Sequence, residues 1–240
     1  MDASEAANIV AATLGSGAPG TDRLNAAAGI LATLSDRDRL LELIDAIRSN
    51  SALVKRCAAA SSRHPLGHDK IMLIDHHSSF NLRLHAWWPN RNPGVEHVHH
   101  HRFGMATTVL RGQYQMQLFR QAASGTAMIE YRQRSSADAR EWYLDSAGVT
   151  HLQLLTTAKI IEGEGYTLTA DALHRVVIPP GAICLTMFLA VIADSGMPEQ
   201  TRVFATPGTS APTLIRASAL TADDYRRLLD AVALEVADIG

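Results

Sequence analysis

Residues 94–112 read GVEHVHHHRFGMATTVLRG, and four of the chain's eleven histidines fall within Glu96–Arg102. In a β-strand, residues two apart share a face, so His97, His99 and His101 would point one way and His100 the other. Their Cα atoms lie about 6.6 Å apart per step. Two imidazoles at that spacing can converge on one ion with metal–nitrogen bonds of about 2.1 Å. Three in a row would span about 13 Å, too far for a single ion. A regular strand therefore supplies two ligands, and a third comes from elsewhere. His174 is the best source, because it sits in an apolar strand context, GYTLTADALHRVVIPPG over 165–181. His151, in an alternating strand, is a second candidate. His64 and His68 flank a Pro-Gly loop, and His76 and His77 sit at a turn. For His85 and His151 the ordinary reading is a hydrogen-bonded strand histidine with no ligand role.

Outward from this segment the apolar period is two. Strands are expected at Lys70–Asp75, Asn81–Trp88, Ala127–Gln133, Val149–Ile160, Gly165–Thr169, Leu173–Ile178, Ala182–Ala193 and Thr201–Ala205. Phe103–Arg111 and Gln113–Gln121 read as two strands, or as one long strand bent at Gly112. Turns at Pro89–Gly94, Ser124–Gly125, Gly163–Gly165, Pro179–Gly181 and Pro207–Gly208 punctuate them. Many short strands at this spacing predict a closed barrel or jelly roll.

Residues 1–64 are helical in pattern. Asp22 is placed to cap Arg23–Leu34, and Ser35 precedes Asp36–Ser49, with Leu40, Leu43, Ile44 and Ile47 on one stripe. Leu53–Ala60 adds a third segment. Thr221 caps a last helix, Ala222–Val236. The expected organisation is a helical segment over 1–69, a β-barrel over 70–210 and a C-terminal helix over 211–240, packed as one structural domain.

The chain has 240 residues, 47% of them hydrophobic and 19% charged, with mean hydropathy −0.01. That is globular composition. Its 22 basic and 24 acidic residues, net −2, form no basic stripe, so no nucleic-acid partner is expected. The longest apolar run, Ala182–Ala193, is too short to span a bilayer and suits a buried strand, so no membrane is expected. The stretch MDASEAANIVAATLG lacks a basic region and carries Asp2 and Glu5, unlike a signal peptide. Cys57 and Cys184 lie far apart with no CxxC, which fits a reducing, cytoplasmic setting.

Gly94, His99-His100-His101 and Gly112 resemble the first motif of the cupin superfamily, and His174 with Pro179-Pro180-Gly181 resembles the second. The likeness covers roughly residues 70–205. It implies a cupin jelly-roll barrel, mainly β, with an N-terminal helical segment and a C-terminal helix. Within cupins, VHHHRF, TTVLRG and QLF together with GYTL and LHRV are most similar to the cysteine-dioxygenase-like branch, which binds iron with three histidines and no carboxylate. No acid follows the second histidine before Glu130, as that branch implies. The chain departs from the mammalian enzymes in having no Cys near residue 106 and no Tyr shortly after His174, so their Cys–Tyr crosslink is not expected.

The resemblance implies His99, His101 and His174 as metal ligands, with His97/His99 as the alternative pair. It implies Fe(II), while imidazole also suits Ni, Mn and Zn. Arg83, on the strand face it shares with His85 and Trp87, is the candidate carboxylate clamp; the same pattern fits an arginine on the outer surface. Tyr114, Gln115 and Tyr166 are candidates to line the cavity, with packing as the other role for each. Arg102 and Arg175 each follow a candidate ligand and should point away from it. The implied activity is an Fe(II)-dependent oxygenase acting on a small polar molecule, such as a thiol or amino-acid derivative, with O2. A metal-dependent isomerase, lyase or cyclase, and a non-catalytic binding cupin, are the rival readings. Either a monomer or a homodimer fits.

Overall fold

The computed structural model describes residues 1–15, 20–64, 67–76, 79–91, 96–135, 141–192, 198, 200–208 and 214–238. Gly94, His77 and Ala193, named above, lie outside them. Helices α1 (Ala3–Leu14), α2 (Gly20–Leu34), α3 (Arg37–Ser49) and α4 (Ser51–Ala60) come first. Ten strands follow a short β1 (Ser62–Arg63): β2 (His68–His76), β3 (Phe80–Trp87), β4 (Val98–His99), β5 (Gly104–Ser135), β6 (Glu141–Ile161), β7 (Gly165–Leu168), β8 (Leu173–Val177), β9 (Cys184–Val191), β10 (Thr201–Ala205) and β11 (Leu214–Arg216). β12 (Ser218–Ala219) and α5 (Ala222–Ala237) close the chain. The chain is mainly β. No described helix is long and apolar enough to cross a membrane.

The helices start where a short polar side chain can take up orphan N–H groups. Asp2 caps α1, Asp36 caps α3, Asn50 caps α4 and Thr221 caps α5. Asp22 is not a cap, because α2 begins two residues earlier and leaves it inside the first turn. Leu40, Leu43, Ile44 and Ile47 are all buried, as their spacing predicts.

β2, β3, β9, the first part of β5 and β7 lie side by side in one sheet. β11, β6, the second part of β5, β8, β4 and β10 form the other. That is the strand order of a double-sheet jelly roll. Gly112 is the corner at which β5 passes from one sheet to the other. Its φ is +81°, and a Cβ there would lie 2.2 Å from the Ile183 carbonyl oxygen, so only glycine fits without a backbone shift. The expectation at Ser124–Gly125 fails: β5 continues through it, and the local glycine serves a bulge between Gln121 and Thr126 instead of a turn.

The first sheet is covered on both faces. Ile71, Leu73, Leu82, Leu84, Leu185 and Leu189 join Leu31, Leu40, Ile44 and Leu229 of the helices in one core. The alternate residues of the same strands face a cavity between the sheets. Burial on both sides explains why all eight residues of β9 are apolar or small and buried.

Candidate functional site

β4 pairs with β8 so that His99 stands directly opposite His174. Cross-strand neighbours of this kind have Cβ atoms roughly 5 Å apart. His101 falls two residues beyond the end of the short β4, so the 13 Å limit of a regular strand does not apply to it, and the chain turns its ring back toward the pair. Ring centroids are 4.9 Å apart for His99 and His101, 4.7 Å for His99 and His174, and 5.0 Å for His101 and His174. One ring nitrogen from each lies within 4.8 Å of the other two. Among the described residues this is the one group of three or more metal-ligating side chains so arranged.

Two of the rings are tied from behind. His99 Nδ1 lies 2.9 Å from the His97 carbonyl and His174 Nδ1 lies 3.0 Å from the Ala172 carbonyl. A carbonyl accepts only from a protonated nitrogen, so Nε2 of each is left as the acceptor. His101 stacks on Phe103 at 5.0 Å. Burial, together with the neighbouring His99, pushes His174 down to about 3 and His101 well below the ordinary imidazole range. His101 and His174 are therefore neutral imidazoles at neutral pH, the form that binds a cation.

His100 is turned the other way, as strand parity predicts. It is buried, accepts from the Arg202 N–H at Nε2 and lies 3.0 Å from the His101 carbonyl at Nδ1. His97 lines the same cavity but stands apart from the three-ring group. His151 is exposed on β6, away from the cavity.

The cavity has a volume of about 480 Å³. Arg83 lines it and is only 8% exposed. Its Nε donates to His85 Nε2 at 3.1 Å and its Nη1 to Asn81 Oδ1 at 3.2 Å. The guanidinium lies 4.1 Å from the Phe188 ring centre and 5.6 Å from that of Phe103. Arg83 is thus a buried cation facing inward, not a surface arginine, and burial lowers it to about 10, still protonated at neutral pH. Tyr114 and Tyr166 line the cavity with their rings 6.3 Å apart, edge to face. Burial pushes both phenols up, so both stay protonated. Arg175 points away and donates to Gln117, while Arg102, expected to point away, lines the cavity. Gln115, a sequence candidate for the lining, does not line it: it is exposed on β5.

Other cavity groups were given no role there from the sequence, although His85 was placed on the strand face of Arg83. His64, His68, Lys70, His85 and Trp142 line it. So does Glu96, the one carboxyl among the lining residues; it accepts from the Val176 N–H, and burial raises it. The signal for His68 and Lys70 was alternation, which begins two residues earlier than the expected strand start at Lys70. Glu96 and Trp142 reach the cavity only through tertiary packing.

The sequence matches no protein-family model and no curated protein. Among solved structures, it is similar to hydroquinone 1,2-dioxygenase from Sphingomonas sp. TTNP3, at 9% identity over 51% of this chain and 64% of that one, TM-score 0.34. It is similar to a cupin domain from Bordetella pertussis Tohama I, at 13% identity over 53% of this chain and 95% of that one, TM-score 0.32. The polyketide cyclase RemF from Streptomyces resistomycificus shares 18% identity over 70% of this chain and 85% of that one, TM-score 0.33. The jelly-roll description of this chain rests on its own strand pairing.

Proposed function

We propose that this chain is a mononuclear non-haem Fe(II)-dependent oxygenase of the three-histidine cupin type, acting on a small polar molecule with O2. His99, His101 and His174 hold the metal in this reading. What supports it best is the convergence of their three ring nitrogens within 4.8 Å, with two Nδ1 atoms turned to backbone carbonyls. A ligand histidine ordinarily gives its second nitrogen to such a partner. The donor set fits a divalent ion: three neutral imidazoles leave its charge uncancelled and positions open for an anionic ligand. Imidazole also suits Ni, Mn and Zn. The chemistry such an iron supplies is polarisation of a bound donor and electron exchange with O2.

The chain's own residues bind and orient. Arg83 offers a planar fork to a carboxylate, a geometry that lysine lacks. Phe103, Phe188 and Trp87 wall the space beside it and exclude water. The Tyr114 hydroxyl donates to Tyr166, which leaves the protonated Tyr166 hydroxyl to donate one hydrogen bond to a bound ligand.

Elemental analysis of protein purified without an affinity tag tests this, beside the His99→Ala/His174→Ala double variant. The expected result is near-stoichiometric iron in the native protein, lost in the variant, and O2 uptake with thiols or amino-acid derivatives. No metal in either protein, even after reconstitution, overturns the reading. Metal retained without O2 uptake would favour the isomerase, lyase or cyclase alternative.

A further inference from the structure

β2 and β3 present a second polar wall to the cavity. They pair with Lys70 opposite His85 and His68 opposite Trp87, and alternation turns these residues and Arg83 inward. Arg83 lies at the metal end, over Phe103, whose ring stacks on His101. Lys70 stands opposite His85, two residues along β3 from Arg83. Two cations therefore stand at neighbouring positions along one wall of the cavity.

Neither cation makes an ion pair with a described carboxylate. Asp69 faces the other side of the sheet, where it accepts from Trp88 Nε1 at 2.9 Å and Arg91 Nη1 at 2.6 Å. Glu96 is held by the Val176 N–H. Asp75 offsets Lys70 only through space. Burial and the Arg83 charge push Lys70 down to about 8.

His68 adds an independent observation. It is 8% exposed, and its Nδ1 is buried with no hydrogen-bond partner. Its ring is stacked on His64 at 4.5 Å and packed against His85 and Trp87 at 5.0 Å each, so it cannot swing away. A buried ring nitrogen without a partner in a native site calls for a ligand or a water. Burial keeps His64, His68 and His85 neutral, so they can donate without adding charge.

We propose that Lys70 and His68 form a second anion subsite, and that the cavity takes a small dicarboxylate with one carboxylate at Arg83, the other at Lys70 and His68, and a flat body between them against Trp87 and Phe188. A volume of about 480 Å³ is ample for such a molecule and generous for a single amino acid. That this ligand is the substrate rests on the oxygenase reading; the subsite itself does not.

Calorimetric titration of the 240-residue, metal-stripped protein with terephthalate and with benzoate tests it. Terephthalate is expected to bind about tenfold tighter or better, the worth of one added charge-assisted contact. In Lys70→Met the ratio of the two affinities falls to about one, and in Lys70→Arg most of it returns. His68→Phe, which keeps the stack on His64, lowers the ratio without a change of charge, and it decides the matter if Lys70→Met does not fold. Equal affinities in the native protein, no binding of either acid, or a preference that survives both Lys70→Met and His68→Phe overturns the proposal. The two readings fail separately: native protein that takes up no iron but keeps the preference leaves the subsite standing and removes the oxygenase, whereas iron-loaded native protein without the preference removes the subsite alone.

Discussion

Three histidines face the cavity from β4, the turn after it and β8, and three more face it from β2, β3 and the segment before them. The ring spacings are nearly the same, 4.7–5.0 Å in the first set and 4.5–5.0 Å in the second. Orientation separates only the His64–His68 pair, because His68 and His85 meet at 48°, much as His99 and His174 do. His99 meets His101 at 86° and His174 at 46°, which brings nitrogen edges together. His64 and His68 lie at 11°, so that ring faces meet instead. The tethers differ too. Backbone carbonyls hold two rings of the first set, His99 and His174, by Nδ1, whereas in the second Arg83 occupies His85 Nε2 and His68 Nδ1 has no partner. Imidazoles close in space are thus not enough for a cation site; anchored tautomers and converging edges are what distinguish one wall. The other wall carries Arg83 and Lys70 and suits an anion.

The two walls face each other because β5 turns a corner between the sheets, so the largest expected effect is at that corner. Gly112→Ala puts a Cβ against the Ile183 carbonyl at a positive φ. A loss of about 2 kcal/mol or more is expected, a fall in Tm of roughly 4–8 °C for a chain of this size. Thermal denaturation of the metal-free protein checks it, and a loss below about 0.5 kcal/mol would mean the corner is built differently.

Next in size, taken per histidine and per pH unit, is the pH dependence shared by both walls. His174 in one wall and His64 in the other are held near 3 against an ordinary 6.5. Between those values the unfolded chain binds protons that the folded chain refuses. Stability is therefore full above about pH 6.5, falls as the pH drops toward about 3 and levels below it. The slope is at most about 1.4 kcal/mol per pH unit for each histidine. Urea titrations of metal-free protein from pH 7 to pH 4 measure it. His64→Gln and His174→Gln should each flatten the slope by up to one proton. A curve that is level over this range would show that neither wall excludes protons.

Much of the first wall was legible in the sequence. An HxH step before a barrel strand, with His174 in an apolar context, named the three rings, and Gly112 was legible as a bend. Arg83 was placed with His85 and Trp87 on one face by alternation alone. The second wall was not legible as a wall. Alternation gives parity along a strand, but in a sheet covered on both faces it does not say which parity meets helices and which meets a cavity. Ile71 and Leu73 pack under helices while His68 and Lys70 look inward, and either assignment satisfies the pattern. Ser124–Gly125 failed for a related reason: a glycine signals a special φ, and a bulge inside a long strand uses it as readily as a turn.

The smallest expected effect bears most directly on the contrast between the walls. Arg83 is charged, buried and without a carboxylate, so in the ligand-free protein its desolvation goes uncompensated except by Asn81, His85 and the faces of Phe103 and Phe188. Replacing a buried charge by an apolar side chain of similar length is commonly neutral or stabilising. Arg83→Met is therefore expected to raise stability by about 1 kcal/mol, or a Tm increase of roughly 2–4 °C, while benzoate affinity falls about tenfold. A gain in stability with a loss of binding is what a residue kept for a ligand gives. A loss in both would mean that stacking on Phe188 and the bond to His85 outweigh desolvation, and Arg83 would then be a packing residue of β3, with the anionic wall reduced to Lys70 and His68.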